Sequence, residues 1–107
     1  MKMKNPIART VLALALLAAG TTASAATVGH YEACNEGSNP QAVAAITTAG
    51  HTPVAVDVPD AATLAGIDML FVTNCSNGGI SAEYTANLGN ISAAVNAGMT
   101  LMVHDRW

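Results

Sequence analysis

The chain has 107 residues, enough for one small domain, and it carries four Lys and Arg residues against seven Asp and Glu residues. Three of these bases are Lys2, Lys4 and Arg9, so residues 26–107 keep one base, Arg106, against seven acids, a formal charge of −6. A protein with one cation cannot neutralise a row of phosphates, and we therefore exclude nucleic acid as a partner.

The first 25 residues have the three parts of a secretory signal peptide. After the basic start comes an uncharged apolar run at 11–20, and Ala23 and Ala25 then form an A-x-A cleavage pattern. The run is shorter than the roughly 20 apolar residues that span a bilayer, and a retained N-terminal anchor is the alternative. We predict a bacterial-type signal peptide over 1–25 and an exported domain over 26–107. The mature protein would be periplasmic, extracellular or on the cell surface, with no membrane span.

The domain begins with a strand pattern and then a helix pattern. Residues 26–33 are a plausible first strand. Asn39 followed by Pro40 is typical of a helix N-cap with Pro at the first helical position, and Gly50 predicts the end of that helix.

Two strand patterns follow, separated by one helical turn at 60–67. Residues 51–59 form a short strand, and Pro53 predicts that it lies at a sheet edge because proline has no N–H to donate. Residues 68–73 are a continuous apolar run of the kind that a parallel strand covered on both faces shows.

A second helix and a last strand complete the pattern. Residues 80–98 carry apolar side chains spaced by four, three and four, which predicts one buried stripe on a helix: Tyr84, Leu88, Ile91 and Val95. Gly98 ends this helix, and residues 99–104 are a further apolar strand.

This alternation predicts a three-layer α/β domain with a mainly parallel sheet. Right-handed crossovers give the flavodoxin-like strand order 2-1-3-4, which agrees with the edge position that Pro53 requires. The fourth strand would be an inner strand without a neighbour, so we expect the domain to be truncated after it.

The two cysteines, Cys34 and Cys75, follow the first and third strands. In the predicted order these strands are neighbours, so both cysteines lie at the same carboxyl edge of the sheet. An even number of cysteines in an exported chain favours a disulfide, and we predict one here. The alternative, a nucleophilic Cys75, lacks a base marked by the sequence.

Three segments carry a resemblance to a known family: GHTPV at 50–54, IDMLFV at 67–72 and VNAGM at 95–99. With their spacing, the chain resembles the N-terminal half of a class I glutamine amidotransferase-like domain, most closely its ThuA-like branch. The resemblance rests on hydrophobic pattern and glycines, and it implies a flavodoxin-like sheet. Family amidotransferases carry a nucleophilic cysteine after a central strand, whereas His104 stands there in this chain, as in ThuA-like relatives. The resemblance therefore implies no glutamine hydrolysis.

Candidate site residues gather at the carboxyl ends of the predicted strands, where open α/β sheets bind ligands. His104 and Asp105 are the catalytic candidates, as a general base or a metal ligand, with Arg106 as an anion clamp. The predicted ligand-binding set is His30, Glu32, Asn74, His104, Asp105 and Arg106. The alternative is a solvated edge whose polar residues only mark strand ends. No short ligand spacing is present, so we predict neither a metal nor a cofactor.

Two functions remain open. The first is a non-catalytic ligand-binding or interaction module of a larger secreted or surface protein, whose partners are a small polar ligand or further domains of that protein. The alternative is a ThuA-like enzyme acting on a small polar or carbohydrate-related substrate, with its site completed beyond Trp107. We expect no catalysis from the chain as it stands.

Overall fold

The computed structural model describes residues 24–105, so the predicted signal peptide, apart from its last two residues, lies outside the described part. Four strands are present: β1 (Thr27–Glu32), β2 (Thr52–Ala55), β3 (Met69–Asn74) and β4 (Thr100–Asp105). Four helices connect them: α1 (Ala42–Thr48), α2 (Ala61–Leu64), α3 (Ala82–Ala86) and α4 (Leu88–Asn96). The alternation of strand and helix is the predicted one.

The strands form one parallel sheet in the order β2-β1-β3-β4. This confirms the predicted α/β class and the flavodoxin-like strand order. Helices cover both faces of the sheet, because each crossover between parallel strands must pass over one face.

The larger part of the core lies between the sheet and the helices α2, α3 and α4. Its most deeply buried strand side chains are Tyr31, Leu70 and Val72, and Ile91 of α4 packs on them. Full burial of one such aliphatic side chain stabilises the fold by about 1.5–3 kcal/mol.

Gly29 of β1 points into this larger core, where no room is left for a side chain. A Cβ at this position would lie 2.8 Å from Cγ2 of Val56 and 3.2 Å from Cδ1 of Ile67. The central strand therefore carries glycine because its neighbours already fill the space.

The opposite face, which we call the α1 face, has a smaller core. Val28 packs there with Ala42 and Ile46 of α1, while Met69 and Phe71 of β3 are only partly buried against them. α1 packs mainly on β2 and β1, so this face of β3 and β4 is less covered.

α1 begins two residues later than the Asn-Pro pair predicts. Gln41 stands at the N-cap position, and no side chain caps the helix. Asn39 instead forms a tight turn: its Oδ1 accepts from the Gln41 N–H at 3.0 Å. Because its side-chain oxygen is hydrogen-bonded in this turn, Asn39 does not cap the helix. Gly50 ends the helix as expected, with φ at +87°.

The predicted helix over 80–98 is two helices, with Asn87 between α3 and α4. The Asn87 Nδ2 donates to the Glu83 carbonyl oxygen at 2.9 Å, beside the regular helix bond from the Asn87 N–H to the same oxygen at 3.2 Å. The four apolar residues therefore do not form one buried stripe: Tyr84 and Ile91 are buried, but Leu88 and Val95 are exposed. The predicted burial is therefore confirmed for Tyr84 and Ile91 and wrong for Leu88 and Val95.

The two outer strands differ in character. β2 lies at one edge, as Pro53 predicted, and β4 lies at the other. All six residues of β4 are exposed, Met102 to 49% and Val103 to 45%. Within residues 24–105, no helix is both long and apolar enough to cross a membrane.

Candidate functional site

The carboxyl ends of all four strands meet at one edge of the sheet. The loops that follow β1 and β3 lie side by side there, because these two central strands are neighbours. From this point the chain crosses to β2 on one side and to β4 on the other, which makes the edge between β1 and β3 the topological switch point of the sheet.

The disulfide Cys34–Cys75 joins the two loops at the switch point, with 5.6 Å between the Cα atoms. This confirms the predicted pairing. The loops are also joined by backbone bonds, since the Ala33 N–H donates to the Thr73 carbonyl oxygen at 2.7 Å and the Ser81 N–H to the Ala33 carbonyl oxygen at 3.1 Å. The two central loops on either side of this crevice are therefore joined by covalent and hydrogen bonds.

Three polar residues form a row across the sheet beside this crevice. In the strand register Glu32 pairs with Thr73, and Thr73 pairs with His104. Paired residues of neighbouring strands share a face, so all three side chains leave the sheet on the α1 face. At about 4.8 Å between strands, the row spans about 10 Å. We call Glu32, Thr73 and His104 the polar row.

A shallow apolar groove lies on the α1 face and stops short of the polar row. It has a volume of about 370 Å³, and its floor includes Phe71 and Met102, each two residues before a member of the row. Small-molecule sites usually combine a mostly apolar concave surface with a few polar groups, and here the polar row lies two residues further along the strands than Phe71 and Met102. A second cavity, of about 440 Å³, is lined by residues such as Asp68 and Met99 at the amino ends of the strands, away from the predicted site residues.

Asn74 and Asp105 form a separate pair one residue further along. Asn74 is buried; its Nδ2 donates to Asp105 Oδ1 at 2.8 Å, and its Oδ1 accepts from the Ser76 N–H at 3.3 Å. Successive side chains of a strand leave opposite faces, so Asp105 does not share a face with His104. The structure therefore does not place His104 and Asp105 together as an acid–base pair.

His30 is buried on the α1 face, two residues before Glu32. Its Nδ1 accepts from the Asn39 N–H at 3.0 Å, an arrangement that requires an unprotonated Nδ1. Burial lowers the pKa of His30, which favours this neutral form. The Nδ1 atom thus holds the loop after β1, and its role as a ligand contact stays a prediction.

Asn39 is a member of the site that the sequence did not identify. Its Nδ2 donates to Thr73 Oγ1 at 2.9 Å while its backbone N–H is bound to His30. Asn39 therefore links the loop after β1 to the middle of the polar row. The Asn-Pro pair was a usable signal for a turn at this position, but it carries no information about the partner on β3.

The charge of the described part is entirely negative. Residues 24–105 contain seven carboxylates and no Lys or Arg, while Arg106, the predicted anion clamp, lies outside the described residues. His104 and Asp105 are both exposed at the end of β4. Among the described residues, the site therefore offers carboxylate, imidazole, hydroxyl and amide groups, which suit hydrogen-bond donors or cations better than anions.

The fold and the site define a parallel α/β domain with an open polar edge at the carboxyl ends of its strands. No family model matches the chain, and no match was found among curated proteins or solved structures. The resemblance to glutamine amidotransferase-like and ThuA-like domains therefore stays a prediction.

Proposed function

We propose that this protein is an exported, non-catalytic ligand-binding module, and that its ligand is a small polyhydroxylated molecule of the carbohydrate class. The observation that carries the proposal is the alignment of Glu32, Thr73 and His104 on one face by the strand register. Export is supported by the signal-peptide pattern of residues 1–25 and by the disulfide.

The chemistry of the polar row suits a sugar. A carboxylate accepts from hydroxyl groups, and a neutral imidazole can donate to one hydroxyl and accept from another. Phe71 and Met102 lie beside the row and offer apolar surface to the C–H face of a sugar ring.

Binding is non-catalytic in this proposal because the obvious nucleophiles are engaged. Cys34 and Cys75 are joined to each other, and the hydroxyl of Thr73 is bound by Asn39. His104 alone could act as a general base, but Asp105 leaves the opposite face and cannot orient its imidazole.

The test is a titration of the isotope-labelled protein with glucose, galactose and sucrose, followed by amide chemical shifts in NMR spectra. We expect shifts at Glu32, Thr73 and His104 at millimolar sugar. His104→Ala should weaken binding about tenfold, the effect of one or two lost hydrogen bonds. Thr100→Ala is the matched control, since Thr100 is exposed on the same face at the other end of β4. Saturable shifts elsewhere, or none, would contradict the proposal.

The exposed imidazole of His104 at the carboxyl end of β4 favours a second candidate, a ThuA-like enzyme acting on a small polar substrate. In that case His104 is the general base and the module proposal is wrong. The purified protein would then turn over 4-nitrophenyl glycosides or esters, and His104→Ala would abolish the activity whereas Thr100→Ala would not.

A further inference from the structure

The crevice between the loops after β1 and β3 holds a group of three potential metal ligands. The Glu32 carboxylate oxygen and the sulfur atoms of Cys34 and Cys75 lie within 4.8 Å of one another. We propose that reduction of the Cys34–Cys75 disulfide converts this group into a binding site for a thiophilic divalent cation such as Zn²⁺. The site would have two thiolates, one carboxylate and a water as the fourth ligand, the open arrangement of three protein ligands and one water.

The backbone that carries Cys34 and Cys75 is held in place by hydrogen bonds as well as by the disulfide. Cys34 and Cys75 each follow a strand by one or two residues, and β1 and β3 are paired up to Glu32 and Thr73. Beyond that pair, the Ala33 N–H donates to the Thr73 carbonyl oxygen at 2.7 Å, which continues the pairing into the loops. The backbone therefore keeps the two sulfurs close when the covalent bond is broken.

Zinc binding requires only a small increase in the distance between the two sulfur atoms. Zn–S bonds of about 2.3 Å in a tetrahedral site place two sulfurs about 3.8 Å apart, in place of about 2 Å in a disulfide. Side-chain rotation at Cys34 and Cys75 can supply this separation. Cys75 is exposed and Cys34 is half-buried, so a cation can reach both.

The negative charge of the surroundings attracts a divalent cation. Residues 24–105 carry seven carboxylates and no Lys or Arg, so no basic side chain of the described part competes for the thiolates. Asn35 provides the supporting contact: its Nδ2 donates to Glu32 Oε2 at 3.0 Å and lies 4.0 Å from the Cys75 sulfur. Such outer contacts hold ligands in position and raise metal affinity.

A dithiol is the reductant that would open the Cys34–Cys75 disulfide. The dithiol gives two electrons and two protons to the protein disulfide and becomes a disulfide itself, leaving Cys34 and Cys75 as thiols. Binding of the cation then displaces the two thiol protons to solvent and forms two metal–sulfur bonds. The oxidised protein has no thiolate to offer, so redox state decides whether the site exists.

The test uses the full chain, reduced with a dithiol, desalted without oxygen and titrated with Cd²⁺ and with Zn²⁺. Ultraviolet charge-transfer absorption reports cadmium–thiolate bonds, and a chromogenic chelator reports zinc by competition. We expect one cation per chain for the reduced protein and none for the oxidised protein. Glu32→Gln should lower the affinity of the reduced protein tenfold or more. Glu36→Gln, in the same loop but outside the ligand group, should leave it unchanged.

Three results would overturn the proposal: no cation on the reduced protein, equal affinity of Glu32→Gln and the unaltered protein, or one cation shared by two chains. If circular dichroism shows that reduction alone unfolds the protein, one equivalent of zinc should restore the fold. Failure of zinc to do so would equally contradict the site. Sugar binding at the polar row is a separate measurement on the oxidised protein, so the two proposals can fail independently.

Discussion

Substitution of Gly29 by Ala tests how tightly the larger core is packed. The added Cβ would lie 2.8 Å from Cγ2 of Val56, closer than real Cβ atoms come to a neighbouring atom, and 3.2 Å from Cδ1 of Ile67. Val56 is fully buried and β-branched, so it has few alternative rotamers that could relieve this contact. Overpacking of this kind costs about 1–3 kcal/mol.

A smaller effect opposes this cost. Replacing Gly with Ala restricts the unfolded chain and stabilises the fold by about 0.4–1 kcal/mol where the backbone conformation allows it. Gly29 is not among the glycines with positive φ, so the gain applies here. We therefore expect Gly29→Ala to lower the free energy of unfolding by about 1–2 kcal/mol, measured by urea denaturation with the disulfide intact.

A double-mutant cycle identifies the contact responsible. Val56→Ala removes the methyl group that the new Cβ would strike, so Gly29→Ala should cost less in the Val56→Ala background than in the unaltered protein. Gly89→Ala is the control, because a Cβ there meets no atom within 4 Å and helix propensity favours Ala. If Gly29→Ala is neutral or stabilising, or shows no coupling to Val56, the packing argument is refuted.

Three further predictions concern other parts of the fold. Replacing both Cys34 and Cys75 by Ser should lower the free energy of unfolding by about 4 kcal/mol, the loop-entropy value for a sequence separation of 41. Burial lowers the pKa of His30 in the folded state. The contribution of His30 to stability is therefore complete above pH 6.5 and is lost as pH falls from there through the lower folded pKa. His30→Asn should remove this part of the pH dependence in urea titrations. Because β4 is an exposed apolar edge strand, the protein should self-associate with rising concentration in sedimentation velocity, and Met102→Lys should suppress this.

Each of these has a clear contrary result. Equal unfolding midpoints for the double serine variant and the unaltered protein would mean that the disulfide does not constrain the unfolded chain. A pH profile that is unchanged in His30→Asn would show that the imidazole is not the group that titrates. A sedimentation coefficient independent of concentration in the unaltered protein would contradict association through β4.

The strand order was predictable because two features agree on it. Right-handed crossovers in an alternating strand and helix pattern give the order 2-1-3-4, and Pro53 independently places β2 at an edge. The cysteine pairing was predicted from that order. The break at Asn87 was not predictable from apolar spacing. Spacing indicates which residues could share a stripe, but it carries no information about the local hydrogen bonds of a polar residue such as Asn87.

The position of the candidate residues in the sheet was predictable, but their arrangement was not. Polar residues after each strand indicated the carboxyl edge, and Glu32 and His104 lie there. Which of them share a face depends on the strand register, because a slip of one residue sends every side chain to the opposite face. Asp105 and His104 leave opposite faces because they are successive residues of β4, whereas the register brings Thr73 between His104 and Glu32. The link from Asn39 to Thr73 spans 34 positions, beyond any local pattern.

Pro53 also limits what an assembly of this protein could become. Thr52 and Val56 donate their N–H groups inward to β1, so the ring nitrogen of Pro53 faces outward and interrupts the outer row of donors on β2. A strand added at that edge would lose a hydrogen bond, whereas β4 offers a complete outer row. A further strand can therefore pair fully with the sheet at β4 but not at β2. Two copies joined through β4 would end in a proline-blocked strand on both sides, which favours a closed pair over an open-ended fibre.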